Sequence, residues 1–131
     1  MEPLSHEFAL KLAKQNLLGI FGERDPTKRL SRMQETYDPD IIFHDPTGTV
    51  RGHEAVDTVI SSLLDGKDDW TFRPVGKLWV AHDMVTLEWA FGPEGHAATV
   101  HGNDIMLVNK EGRIREMYTM IQGASDSELS K

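Results

Sequence analysis

Val100-His101-Gly102-Asn103-Asp104-Ile105-Met106-Leu107-Val108, followed by Lys110-Glu111-Gly112 and then Arg113-Ile114-Arg115-Glu116-Met117-Tyr118, reads as two long strands joined by a tight turn, with bounds near 97–109 and 113–121. Apolar side chains recur at alternate positions, which is the period of a pleated strand. Asp104 breaks the pattern, because it shares a face with Val100, Met106 and Val108. A carboxylate facing an apolar interior is costly unless it takes up a proton or finds a partner. Burial raises a carboxyl pKa, so such a group can hold or exchange a proton near neutral pH.

Upstream, the same period of two begins at residue 69. Trp70 and Phe72 alternate with Thr71 and Arg73, and a further strand covers 77–81. After a turn at His82-Asp83, Val85, Leu87, Trp89 and Phe91 alternate with Thr86 and Glu88. Before residue 69 the period changes. Ala55, Val56, Val59, Ile60, Leu63 and Leu64 mark a helix over 52–64 that Asp65-Gly66 stops. A strand precedes it, Ile41-Ile42-Phe43-His44-Asp45-Pro46, and a turn follows around Pro46-Thr47-Gly48. That strand ends on a second acid, Asp45, on the face of Ile41 and Phe43. Two helices open the chain. One carries Phe8, Leu12, Leu17 and Phe21 between a Ser5 cap and a Gly22 stop; the other starts at Asp25-Pro26 with Leu30, Met33 and Tyr37 as its stripe. The polar stretch 122–131 reads as a disordered tail on a single domain spanning 1–131.

Helices first, a helix between strands, then a meander of long strands give an α+β fold. The expected architecture is a curved antiparallel sheet with the N-terminal helices packed on its concave face. A pocket between the two layers is then the natural ligand site.

With 131 residues and 39% hydrophobic content, the chain can bury one core. Its net charge of −7 argues against nucleic acid or anionic membrane as a partner. Lys28-Arg29 with Arg32 reads as the solvated face of a helix. Cysteine is absent, which excludes disulfides and thiolate chemistry. The opening residues carry no signal-type apolar run and no segment reaches membrane-spanning length, so a cytoplasmic protein is expected. The six histidines lack paired metal-ligand spacing, and no phosphate loop or nucleophile elbow is present; no metal or cofactor is expected.

The candidate catalytic residues are therefore Asp45 and Asp104, with His101 as a third if a bulge at Gly102 turns it inward. Phe43, Tyr37, Trp70, Trp89, Met106 and Tyr118 are the candidate substrate-binding residues. Each has a plainer reading. Asp45 before Pro46 can open a turn by bonding its own backbone. Asp104 can be a buried acid satisfied by Tyr118, His101 or a water. The aromatic and methionine side chains are core packing that borders the cavity.

Tyr37-Asp38-Pro39-Asp40 leading into Phe43-His44-Asp45-Pro46, then Arg51-Gly52-His53-Glu54-Ala55-Val56, resembles the first strand and third helix of the NTF2-like superfamily. The segments around Asp104 and 111–118 resemble its last strand pair, and within it the ketosteroid-isomerase-like and SnoaL-like (polyketide cyclase) branches are the nearest likeness. The resemblance covers about residues 5–121 and implies the NTF2-like cone. It implies that Asp45 matches the isomerases' general base and Asp104 their protonated oxyanion donor, or the acid–base residue of the cyclases. A first-helix tyrosine completes the isomerases' oxyanion hole, but the matching stretch here is Lys14-Gln15-Asn16-Leu17-Leu18-Gly19, without one. Asn16 or His101 are the available substitutes.

The expected function is binding of a small apolar carbonyl compound with proton transfer alpha to the carbonyl, as in an isomerase or polyketide cyclase. The alternative is a non-catalytic ligand-binding or dimerisation module of the same fold; a transport adaptor ranks third. The resemblance and the outer sheet face, with Trp79 or Trp89 exposed there, imply a homodimer.

Overall fold

The computed structural model describes residues 2–129. Met1 and the last two residues of the stretch expected to be a disordered tail lie outside the described residues. Helix α1, His6–Lys14, starts where the Ser5 hydroxyl accepts the Phe8 N–H at 3.1 Å. It runs on into a π-helical segment, Gln15–Phe21, that buries Asn16, Leu17, Ile20 and Phe21. Helix α2, Pro26–Thr36, carries the expected cap: the Asp25 carboxylate accepts the Thr27 N–H at 2.9 Å, with proline in the first turn. Tyr37 is not part of its stripe. Its extended backbone makes it the first residue of β1, Tyr37–Asp45.

A short strand β2, Gly48–Arg51, replaces the plain turn expected after Pro46. Helix α3, His53–Leu64, buries Val56, Ile60 and Leu64. The strands read at 70–73 and 77–81 are one strand, β3, Trp70–Ala81; a register shift between Val75 and Leu78, with Gly76 at φ 69°, marks a bulge within it. Strands β4 (Met84–Pro93), β5 (Val100–Val108) and β6 (Ile114–Ile121) complete the sheet.

The six strands form a curved, unclosed sheet in the order β2-β1-β6-β5-β4-β3. Every pairing is antiparallel except that of β1 with β6, which is parallel. Parallel neighbours need a long crossover, and here everything from β2 through β5 lies between them. The helices cover one face. Phe43, Met117, Met106 and Val85 on that face share one core with Leu12, Leu17 and Ile20 of the first helical stretch, Met33 of α2, and Val56 and Ile60 of α3.

One cation of the basic cluster departs from the solvated face expected of it. Arg29 is buried, and its three nitrogens tie α2 to α3 and to the loop that precedes α2. Nε donates to Asp57 Oδ1 at 2.6 Å, Nη1 to the Glu23 carbonyl at 2.7 Å and Nη2 to Ser61 Oγ at 2.7 Å. A buried charge is tolerable only when its hydrogen-bonding capacity is met in this way.

Candidate active site

The unbroken register of β5 with β4, and its pairing with β6 over residues 102–107, turn Asp104 inward, opposite Leu87 on β4 and Thr119 on β6. Its side chain is 4% exposed. Trp89 Nε1 donates to Asp104 Oδ1 at 3.0 Å, and Thr119 Oγ1 donates to the same oxygen at 2.7 Å. Among the described residues none donates to Oδ2. Burial pushes the Asp104 pKa up to about 6, against the opposing pull of the Thr119 and Trp89 hydrogen bonds. The result is a carboxyl that changes charge close to neutral pH.

Asp104 borders a largely enclosed hollow of about 70 Å³ whose walls are almost entirely hydrocarbon. Leu17 and Phe21 of the π-helical segment and Val59 and Leu63 of α3 close it from the helical side. Phe43, Phe72, Trp89 and Phe91 close it from the sheet, with Phe72 stacked on Phe91 at 4.1 Å between ring centres. Asp45 borders the same hollow. It also makes the plainer turn: its Oδ1 accepts the Thr47 N–H at 2.9 Å, the Thr47 hydroxyl at 2.6 Å and the Gly48 N–H at 3.1 Å. The two roles coexist in one side chain.

Phe43 and Trp89 stand on the wall of the hollow; the other candidate binding residues do not. Tyr37 is fully buried, and its hydroxyl donates to Asn16 Oδ1. Asn16 Nδ2 in turn donates to the Met117 sulfur at 3.3 Å. Burial and the nearby Asp104 charge raise the Tyr37 pKa well above its usual value, so it remains a neutral phenol. Met106 is core packing, and Trp70 is half-buried against Phe91 with ring centres 5.1 Å apart.

Two expectations are corrected. No bulge occurs at Gly102, so His101 keeps the parity of an outward residue and is exposed on the opposite face from Asp104. Tyr118 also lies on that outer face, 40% exposed and stacked on His44 at 4.3 Å. There it donates to Glu116, which His44 meets through Nε2 at 2.7 Å. The residue that the sequence reading missed is Thr119. Among the described residues no three His, Asp or Glu side chains converge as a metal site would require, and no helix is long and apolar enough to cross a membrane.

Comparison with known proteins agrees with this architecture. A SnoaL-like family protein from Agrobacterium tumefaciens superimposes with a TM-score of 0.82 at 18% identity, covering 89% of this chain and 99% of that one. A SnoaL-like protein of unknown function from Burkholderia thailandensis gives 0.73 at 17% identity, with 93% and 100% covered. A steroid delta-isomerase from Pseudomonas aeruginosa gives 0.64 at 22% identity, with 95% and 86% covered. These likenesses establish a shared α+β, NTF2-like fold. None of the curated proteins matches the chain by sequence. The family model described as SnoaL-like domain matches residues 20–117, from the π-helical segment through the first half of β6. The chain belongs to the SnoaL-like domain family.

Proposed function

We propose that the hollow receives the carbonyl end of a small, mostly apolar compound and that the two aspartates move a proton at the carbon beside that carbonyl. The observation that supports this best is the shared position of Asp45 and Asp104 on one hydrocarbon-walled cavity. Hydrocarbon walls favour an apolar body, and among the described residues two carboxyls supply the acid–base groups there. With a pKa of about 6, Asp104 is mostly ionised at neutral pH and takes the proton from carbon. Asp45, on the same hollow, is the second carboxyl placed to relay that proton beside the carbonyl. The proton then returns at a second carbon, as in an isomerase, or the enolate carbon attacks a second carbonyl of the same compound, whose C=O π bond opens to an alkoxide that takes the proton back from Asp104, as in an aldol-type cyclase. Pockets that engulf a drug-sized ligand run to roughly 300–1,000 Å³. A hollow of about 70 Å³ therefore suits a small molecule, or one end of a larger one.

The test is hydrogen–deuterium exchange at the α-carbon of a panel of cyclic ketones and enones in D2O, followed by NMR. The wild type is expected to catalyse exchange, and Asp104→Asn to lower the rate at least ~100-fold. Ligands that bind without any exchange would replace this reading with the non-catalytic binder.

A second copy of the chain is the proposed partner on the outer sheet face. Trp79 is 66% exposed there, with Met84, Tyr118 and Met120 each near 40%. Symmetric homodimers are the commonest way to cover such a face. Sedimentation should give twice 14.8 kDa for the wild type, and the Trp79→Glu, Tyr118→Glu double variant should give a monomer. A monomeric wild type at high concentration would rule this partner out.

A further inference from the structure

We propose that Gly102 and Trp89 form a positioning device for Asp104: the Trp89 indole lies across the bare Cα of Gly102, and from that seat it donates to Oδ1 and leaves the other carboxyl oxygen to the cavity. Trp89 and Gly102 are direct partners across β4 and β5. Asp104 follows two residues along β5 on the same face, the diagonal distance that an aromatic side chain spans. A Cβ at residue 102 would stand 2.2 Å from Trp89 Cζ2, 2.6 Å from Cε2 and 2.7 Å from Cη2. No such contact is tolerable, so any other residue would displace the ring.

Two usual reasons for a strand glycine do not apply here. Gly102 is not among the residues with positive φ, and the register through it is unbroken. What its missing side chain provides is room for the indole. An aromatic ring over a strand glycine also protects the sheet in ordinary proteins. The distinguishing feature is the aim of the N–H, 3.0 Å from the one carboxyl buried among the described residues. Phe72 also packs against the indole, in a T-shaped contact with ring centres 5.4 Å apart.

This inference rests on Asp104 being the reacting carboxyl, but its test reads proton binding and needs no substrate. The Trp89 indole N–H resonance and the Asp104 carboxyl carbon are followed by NMR through a pH titration of the whole chain. The expected result is a shared midpoint near pH 6, with the indole response abolished in Asp104→Asn. Trp89→Phe keeps a ring over Gly102 and removes the donor; the Asp104 midpoint should rise by about one pH unit. Gly102→Ala should raise it in the same direction and uncouple the indole from the titration. Should that variant fail to fold, the Gly102→Ala, Trp89→Leu double variant relieves the clash and should titrate like Trp89→Leu alone. An indole that ignores the ionisation of Asp104, a midpoint unmoved in Trp89→Phe, or a double variant that titrates apart from Trp89→Leu would overturn the proposal. A coupled titration in a protein without turnover would defeat the catalytic reading and leave this one standing.

Discussion

Thr119 on β6 stands directly opposite Asp104 on β5, and its hydroxyl donates to Oδ1 at 2.7 Å. A donor at that distance favours the ionised carboxyl, and the Thr119 bond opposes the effect of burial more than the Trp89 bond does. Thr119→Val preserves shape and removes the donor. The Asp104 midpoint, about 6 in the wild type, should climb by about one pH unit in a carbon-detected titration. An unchanged midpoint would show that the hydroxyl bonds elsewhere in solution.

The raised pKa of Asp104 also sets how stability depends on pH. Its folded value of about 6 lies above the ordinary aspartate value of 3.8, so the native state binds this proton more tightly than the unfolded chain. Stability from this group is complete below pH 3.8 and is lost as pH rises through about 6. The loss amounts to about 3 kcal/mol by pH 8. Asp104→Asn removes the ionisation and should unfold at higher urea than the wild type at pH 8, with the gap closing at pH 4. A gap that widens toward acid pH would reverse the sign and contradict the burial of the group.

Asp45 joins a turn and a hollow, and two substitutions separate those roles. Asp45→Asn keeps an oxygen for the Thr47 and Gly48 donors, so stability should change by less than about 1 kcal/mol while α-proton exchange falls at least ~100-fold. Asp45→Ala also loses the acceptor and should cost about 1–3 kcal/mol on thermal unfolding. Full exchange activity in the asparagine variant would leave Asp45 with the turn alone.

Arg29 is 1% exposed while its partner Asp57 is 18% exposed, so the two ends of this ion pair are not equivalent. Asp57→Ala strands a buried cation and should cost about 3–5 kcal/mol in urea unfolding. Arg29→Met leaves only a partly exposed carboxylate beside an apolar chain and should cost less. Equal losses would mean that the guanidinium's bonds to Glu23 and Ser61 matter more than the charge pair.

How far the sequence reached depends on the kind of signal. Caps at Ser5 and Asp25, the helix over 53–64 and the alternation in β4 and β5 are local patterns, and local patterns were legible. Asp104 stood out because a mid-strand acid has no local excuse. Thr119 did not, for a physical reason. The turn at 110–112 sets a pairing, Val108 with Ile114, that would place Tyr118 opposite Asp104 if it continued unchanged. A register shift between Leu107 and Val108 moves the partner by one residue. In a strand one residue reverses the face, so threonine enters the interior and tyrosine leaves it. The parallel pairing of β1 with β6 was equally hidden, because strand partnership between distant segments leaves no periodic mark.

That parallel pairing has a consequence for how the protein is made. β1 lies between β2 and β6, so the residues that carry Asp45 reach their place only after the last strand exists. Such distant contacts are entropically late. During synthesis the hollow is then assembled at the end, and a chain stopped before β6 would have both acids but no chamber to hold them.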